Sequence, residues 1–333
     1  MWREISRVIK ANDSFLITTH INPDGDAIGS EIALSHFLIS RGKKVVIVNS
    51  SATPDNLRFL DPTGGILHHT YKTPYRIPEN IDTVFFLDVN NWQHVGAIGR
   101  EIRKTAITRV CIDHHVGATA EFADVTVADV SYAATGMMIY GLIKSMKGTV
   151  TPAIAEAIYA TIITDTGTFR FSNTDKKTFL MAAELCEHGV DPNQIYRRVF
   201  ASKTWGTGRL LGPVLGTVQS TAEGRLAWIF ATQEMFRTAG ATYDDSDGFV
   251  DLVRAIKDVE LVLFFKELPD GKIKVSLRSN GRVDAHAIAA GFGGGGHRMA
   301  AGLKVNGPIQ NAIDTVVSVC LQVDGVQNPP PES

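Results

Sequence analysis

The sequence predicts an α/β fold: a doubly wound, mainly parallel sheet, followed by a smaller α+β domain. Short apolar runs alternate with helical stretches from Phe15 onward, and strands joined through helices pair in parallel. Beyond residue 200 the pattern changes to strands joined by a hairpin turn. At 333 residues and 44% hydrophobic content, the chain has apolar surface for two cores.

In order, Phe15–Thr19 reads as a strand, Ala27–Ser40 as a helix and Lys44–Asn49 as a second strand. The helix is apolar around most of its circumference, which predicts cover on more than one side. Arg41-Gly42 supplies the cation and glycine that suit its C-terminus. Strands follow at Thr83–Val89, Arg109–Asp113 and Phe122–Val127. Helices then dominate at Ala134–Met146, Pro152–Ile163, Asp175–Glu187 and Pro192–Phe200, with Pro152 in a first turn, where its missing N–H costs nothing. Residues 1–200 form the predicted first domain. Residues 201–212, rich in Gly, Ser and Thr, read as a linker. In the predicted second domain, residues 213–322, strands are expected at Leu226–Ala231, Glu260–Lys266 and Lys272–Arg278, with Pro269-Asp270-Gly271 turning between the last two. Helices are expected at Gly248–Lys257, Asp284–Ala290 and Pro308–Leu321. The tail, residues 323–333, reads as disordered.

The net charge of −2 provides no global positive field to gather long nucleic acid, so a small phosphorylated substrate fits better than a duplex. The cysteines Cys111, Cys186 and Cys320 are odd in number and far apart, which excludes a disulfide framework or a zinc knuckle. Cys111 and Cys186 are expected to be inert core thiols. The first residues lack the apolar run of a signal peptide, and no stretch approaches the ~20 apolar residues of a membrane span. A cytoplasmic protein without membrane contact is the expectation.

Chemistry concentrates where the apolar runs end. After Phe15–Thr19 comes His20-Ile21-Asn22-Pro23-Asp24-Gly25-Asp26, in which Pro23 and Gly25 tighten the loop around His20, Asp24 and Asp26. Either aspartate alone would pass for a turn or N-cap residue. Asp88 ends an apolar strand, where a lone carboxylate is costly to bury unless paired or coordinated. Asp113-His114-His115 ends another. Adjacent residues leaving a strand point in different directions. One imidazole can therefore bind metal, the other can face substrate, and the aspartate can orient them from behind. Asp165 follows an Ala- and Ile-rich buried helix. Ligands of open α/β sheets bind beyond the carboxyl ends of the strands, which brings these groups together. So many carboxylates repel one another unless cations lie between them. The oxygen-rich donor set favours two Mn²⁺ ions, with Mg²⁺ or Co²⁺ compatible. Two ions about 3.5–4 Å apart activate water for in-line attack on phosphorus. His36, His68-His69, His94 and His188 read as structural or solvated, His68-His69 as a surface pair.

In the second domain, Lys274–Asn280 and the glycine-rich stretch Gly291–Gly302 stand out. Gly293–Gly296 permit close approach of an anion to backbone N–H groups, with His297 and Arg298 following. Arg278 can grip a phosphate with two hydrogen bonds. The G-K-[ST] ending of a Walker A loop is absent.

Taken together, HINPDGDAIGS, LDVN, DHH, TDTGTFRFSNT, RSN and GGGGHRMAAG resemble the DHH phosphoesterase superfamily with its DHH-associated C-terminal domain, over nearly the whole chain. Length and architecture are most similar to the bifunctional oligoribonuclease and PAP phosphatase type. The resemblance implies that His20, Asp24 and Asp88 hold one manganese, and that Asp26, Asp88, His114 and Asp165 hold the other. It implies that His115, backed by Asp113, contacts the scissile phosphate or assists proton transfer. Arg278, Ser279, Gly294, Gly295, Gly296, His297 and Arg298 would bind the substrate nucleotide. The expected reaction is hydrolysis of short oligoribonucleotides to mononucleotides, of 3′-phosphoadenosine 5′-phosphate (pAp) to AMP, or of both, by a homodimer. Cyclic di-AMP or pApA phosphodiesterase is the alternative. Inorganic pyrophosphatase would not need the glycine loop, and a silent nucleotide sensor would not need every metal ligand.

Overall fold

The computed structural model describes residues 1–115, 122–201 and 203–327. Met1–Ser202 and Lys203–Ser333 form two compact units.

The first unit is built on six parallel strands: β1 Ser14–Thr18, β2 Lys44–Asn49, β3 Ile66–His68, β4 Thr83–Leu87, β5 Thr108–Asp113 and β6 Val125–Ala128. Their spatial order is β3-β2-β1-β4-β5-β6. The chain grows outward from β1 in one direction and returns to β4 on its other side. A crevice therefore opens between the carboxyl ends of β1 and β4, where connections leave toward opposite faces. Alternate residues feed two cores. Phe15, Ile17, Phe85, Leu87, Val110 and Ile112 pack with helices Gly25–Ser40, Thr135–Ser145 and Pro152–Asp165. Leu16, Val84, Phe86 and Cys111 face the opposite core with Val95, Ile98 and Phe122. Helix Gly25–Ser40 is buried along nearly its whole length, as its apolar circumference predicts.

The second unit carries β7 Gln219–Thr221, β8 Leu226–Ala231, β9 Leu261–Glu267, β10 Lys272–Ser279, β11 Gly295–His297 and β12 Ala300–Asn306, in the order β11-β12-β10-β9-β8-β7. Only β8 and β9 run parallel; the other neighbouring pairs are antiparallel. Its two faces carry separate cores.

Several expectations are corrected. Residues 205–215, most of them assigned to the linker, form helix Trp205–Leu215, capped by Thr204 Oγ1, which accepts the Thr207 N–H at 3.0 Å. Leu210 and Val214 anchor it in a core, and threonine serves an N-cap as readily as a loop. In the tail, Asp324–Gln327 is helical with Val326 buried, while residues 328–333 lie outside the described residues. The glycine-rich stretch is an edge hairpin, β11–β12, rather than an open loop. A Cβ on Gly296 would sit 2.6 Å from Ala300 O, so close strand approach already demands glycine there. Cys111 is buried, but Cys186 is exposed, because helix Lys176–Glu187 buries only Thr178, Ala182 and Leu185. His69 is buried rather than solvated, its Nδ1 accepting the Tyr75 N–H at 2.9 Å. No helix among the described residues is long and apolar enough to cross a membrane.

Candidate metal centre

His20 and Asp24 follow β1, Asp88 follows β4, and Asp113 ends β5 with His114 and His115 beyond it. Asp26 lies in the first turn of helix Gly25–Ser40, and Asp165 is the last residue of helix Pro152–Asp165. All of these sequence-predicted residues converge at the β1/β4 crevice. Ligand atoms of His20, Asp24 and Asp88 lie within 4.8 Å of one another, as do those of Asp26, His114 and Asp165, and those of Asp88, His114 and His115.

Asp88 is the common member. Its Oδ2 lies 3.4 Å from His20 Nε2, while Oδ1 lies 3.6 Å from both His114 Nε2 and His115 Nδ1. One oxygen thus faces each side of the crevice. The residue is 4% exposed and holds φ +57°, a left-handed conformation that is uncommon outside glycine and concentrates at functional sites.

The histidine tautomers follow from their partners. His114 Nδ1 lies 3.2 Å from Tyr132 O, and a carbonyl can only accept, so Nδ1 carries the hydrogen. Burial, then the charge of His115, lowers the His114 pKa and favours the neutral ring. Nε2 is then a bare lone pair, buried and without a hydrogen-bond partner among the described residues. It faces Asp165 Oδ2 at 3.3 Å, Asp88 Oδ1 at 3.6 Å and Asp26 Oδ2 at 3.7 Å. His20 repeats the arrangement, with Nδ1 donating to Ile21 O at 2.9 Å and Nε2 turned to Asp88. Lone pairs gathered this way repel unless a cation separates them, so the donor set fits divalent ions.

The carboxylates record the same frustration. Asp26 is wholly buried and accepts from Thr135 N (2.7 Å), Gly136 N (3.0 Å) and Ser30 Oγ (3.3 Å). Burial, then Asp88, Asp165 and Asp24, nevertheless push its pKa well above the usual carboxylate range. Asp88 is raised by burial and then Asp24, and Asp165 is raised to about 7 by the same two causes. Asp24 also caps its helix, its Oδ1 accepting the Asp26 and Ala27 N–H groups. The capping and ligand readings are compatible, because an ionised carboxylate has two oxygens and about four acceptor sites.

His115 stands apart. Its Nδ1 donates to Asp113 Oδ1 at 2.9 Å, and that bond is the leading cause raising its pKa to about 9. Burial works against Asp113 ionising, but the His115 bond prevails and holds Asp113 below the usual range. The ring is half exposed, so Nε2 of a protonated imidazole is available to a ligand.

Sequence reasoning missed the groups behind the site. Thr135 Oγ1 donates to Asp88 Oδ1 at 3.0 Å. Glu31 is wholly buried, and burial raises its pKa to about 8. Its Oε2 accepts from Asn49 Nδ2 at 2.8 Å, Asn49 Oδ1 accepts the Thr19 N–H at 3.3 Å, and Thr19 Oγ1 donates to Leu87 O at 2.7 Å. This chain of bonds ties the ends of β2, β1 and β4 together, one residue behind His20 and Asp88. An acidic residue within an apolar helix was its one visible signal.

In the second unit, register aligns Arg278, Ala300 and His297 in one row across β10, β12 and β11. Arg278 and His297 therefore share a face, flanked by Gly295 and Gly296. Arg298 is exposed and donates to Gly281 O at 3.4 Å. Gly294 precedes β11. Ser279 alternates to the other face, where it is buried and accepts the Gly281 N–H at 3.0 Å.

The model of the DHH family N-terminal domain matches residues 14–162, and that of the DHHA1 domain matches residues 224–322. The chain is 36% identical to the bifunctional oligoribonuclease and PAP phosphatase NrnA of Thermus thermophilus, covering 92% of this chain and 88% of that one. It is 27% identical to the protein of the same name from Bacillus subtilis, over 92% and 93% of the two chains. The crystal structure of an exopolyphosphatase-related protein from Bacteroides fragilis superposes with a TM-score of 0.86 at 29% identity, covering 96% and 94%.

Proposed function

Since this chain belongs to the DHH family, we propose that it is a metal-dependent phosphoester hydrolase that cleaves short oligoribonucleotides to mononucleotides and converts pAp to AMP. The observation that carries the reading is Asp88, which offers one carboxylate oxygen to each of two ligand sets. His20, Asp24 and Asp88 would hold one divalent ion; Asp26, Asp88, His114 and Asp165 would hold the other. When bound, the ions supply Lewis acidity to the phosphoryl oxygens and lower the pKa of water. The oxygen-rich donors support manganese, and the lack of a membrane-crossing helix among the described residues is compatible with a cytoplasmic enzyme.

The protein's own groups do the rest. Asp113 fixes the His115 ring through Nδ1, and the raised pKa keeps a proton on Nε2 at neutral pH. That proton can stabilise charge on the scissile phosphate or pass to the leaving oxygen. Asp26, held by the Thr135 and Gly136 N–H groups, keeps its position without moving side chains. Arg278 and Gly294 to Arg298 would bind the nucleotide, supported by the shared face of Arg278 and His297 and by the exposed glycine edge of β11, whereas Ser279, buried on the opposite face, would only brace the strand end through the Gly281 N–H.

Turnover of a short oligoribonucleotide, pAp, cyclic di-AMP, pApA and pyrophosphate by the purified chain with Mn²⁺ tests the proposal. The highest kcat/KM should fall on the oligoribonucleotide or pAp. A preference for cyclic di-AMP, pApA or pyrophosphate would overturn the substrate assignment, and no metal-dependent turnover at all would overturn the enzyme.

A further inference from the structure

Just after Asp165 the chain makes a turn that its sequence resists. Gly167, Thr168 and Phe169 all adopt positive φ, at 53°, 60° and 65°. Glycine tolerates this conformation, whereas a β-branched threonine and a phenylalanine are strained in it. The turn is nevertheless firmly held. Arg170 and Phe171 N–H groups both donate to Thr166 O, at 2.9 and 3.0 Å. Asn173 Nδ2 donates to Asp165 O at 3.0 Å and to Ala133 O at 3.2 Å. The Phe169 ring stacks on Phe179, with centroids 5.1 Å apart.

This construction displays the next aromatic. The tip of the Phe171 ring rests against Gly167, so closely that a Cβ there would collide with Cζ, Cε1 and Cε2. The ring is thus fixed against Gly167, which lies two residues along the chain from the Asp165 carboxylate of the metal centre, yet it remains 50% exposed. A large apolar ring is normally turned inward, and here it stays half exposed on a strained turn that begins just after Asp165. Arg170 lies next to it, with Nε bound to Gly167 O at 2.7 Å and no partner for its other nitrogens among the described residues.

We propose that Phe171 is a stacking platform for a nucleobase of the substrate, with Arg170 facing the adjoining phosphate. The inference rests on the phosphoesterase reading and adds to it a base-recognition subsite within the metal-binding unit. A flat, sequence-tolerant π-surface beside a phosphate-cleaving centre suits a short single strand, whose unpaired bases are free to stack. It also predicts a preference for substrates that carry a base next to the cleaved phosphate, irrespective of which base it is.

The test compares Phe171→Ala and Phe171→Trp with the wild type, using a diribonucleotide and the same molecule with an abasic ribose beside the scissile phosphate. A 2-aminopurine-containing dinucleotide, bound with Ca²⁺ in place of Mn²⁺, reports stacking through quenching of its fluorescence. In Phe171→Ala, kcat/KM for the diribonucleotide should fall about 10-fold or more, mainly through KM, the size of a lost base–aromatic stack. The abasic substrate should lose much less, and the quenching should disappear. Phe171→Trp should restore both. Equal losses on the two substrates, or quenching unchanged in Phe171→Ala, would overturn the proposal. So would a change of oligomeric state in sedimentation, because the ring would then be covering a second copy of the chain. A wild-type protein that cleaves neither substrate would instead sink the phosphoesterase reading.

Discussion

Buried carboxylates in the two units behave in opposite ways. Asp245, in the second unit, accepts hydrogen bonds from Thr204 Oγ1 (2.5 Å), Thr207 Oγ1 (2.6 Å), Thr242 N (2.7 Å) and Thr242 Oγ1 (2.9 Å). The threonine hydroxyls and the Thr242 N–H hold it far below the usual carboxylate range. Asp26, in the first unit, has three donors, nearly as many, and yet its pKa moves upward. Donor count does not separate them. Depth of burial separates them first, since Asp26 is wholly buried whereas Asp245 keeps an edge to solvent, and the neighbouring charges of Asp88, Asp165 and Asp24 add to it. A satisfied buried carboxylate is part of the scaffold, whereas a buried crowd of them is half of an ion site.

The sharpest way to break this contrast is Asp88→Ala. It should abolish stoichiometric metal binding and reduce kcat/KM by about 1,000-fold or more, because it removes an oxygen from both ligand sets. The metal-free variant should melt no lower than the metal-free wild type, since like charges have been relieved. Full metal occupancy by elemental analysis, with near-normal turnover, would refute the bridging role.

His115→Gln should retain both metals and lose about 100-fold in kcat, the scale of a lost proton donor. The wild-type rate should fall as pH rises through about 9, where His115 gives up its proton, and the variant should lack that limb. Arg278→Ala should raise KM for nucleotides about 10-fold with little change in kcat, since its proposed role is to grip the substrate and not to take part in breaking the bond. A fall in kcat alone would contradict that role.

Asp245→Ala should behave as the mirror image of Asp88→Ala. Chemical denaturation should show a loss of about 1–3 kcal/mol for the donors left without an acceptor, with metal stoichiometry intact. The last test concerns pH dependence. In the metal-free protein, Asp165 and Glu31 keep protons up to about pH 7 and 8, whereas their ordinary values are 3.8 and 4.5. The folded state then binds more protons than the unfolded one, so stability falls as pH rises from about 4 to about 8. Melting curves should show a continuous decline in Tm across that window. Adding Mn²⁺ should flatten the Asp165 part of it, because the cation takes the proton's place. A metal-free Tm that rises with pH over this range would show that the carboxylates are not strained.

The site was legible where chemistry interrupts an apolar run. His20, Asp88 and Asp113 stand out because each follows a buried strand, where a polar group needs a reason to be present. Glu31, Asn49 and Thr135 were not legible, since their role depends on which strands become neighbours, and no local pattern records that. The hairpin of residues 295–306 escaped for a related reason. Glycine has little intrinsic preference for a strand, and pairing with β12 and β10 supplies the order. Cys186, Phe179 and Leu180 fit an apolar helix pattern, yet all three are exposed. Periodicity shows that a helix has a face without showing what covers it.

By itself, the chain's order of residues determined the alternation of strands and helices, the parallel pairing and the polar groups at the strand ends. These follow from side-chain periodicity and from the length of the crossovers, which are local properties. Tertiary structure alone decided that β4 lies beside β1, and with it the meeting of His20 and Asp26 with Asp88, His114 and Asp165. It also decided which carboxylates would be crowded and which satisfied, because desolvation and mutual repulsion act through space between groups far apart along the chain.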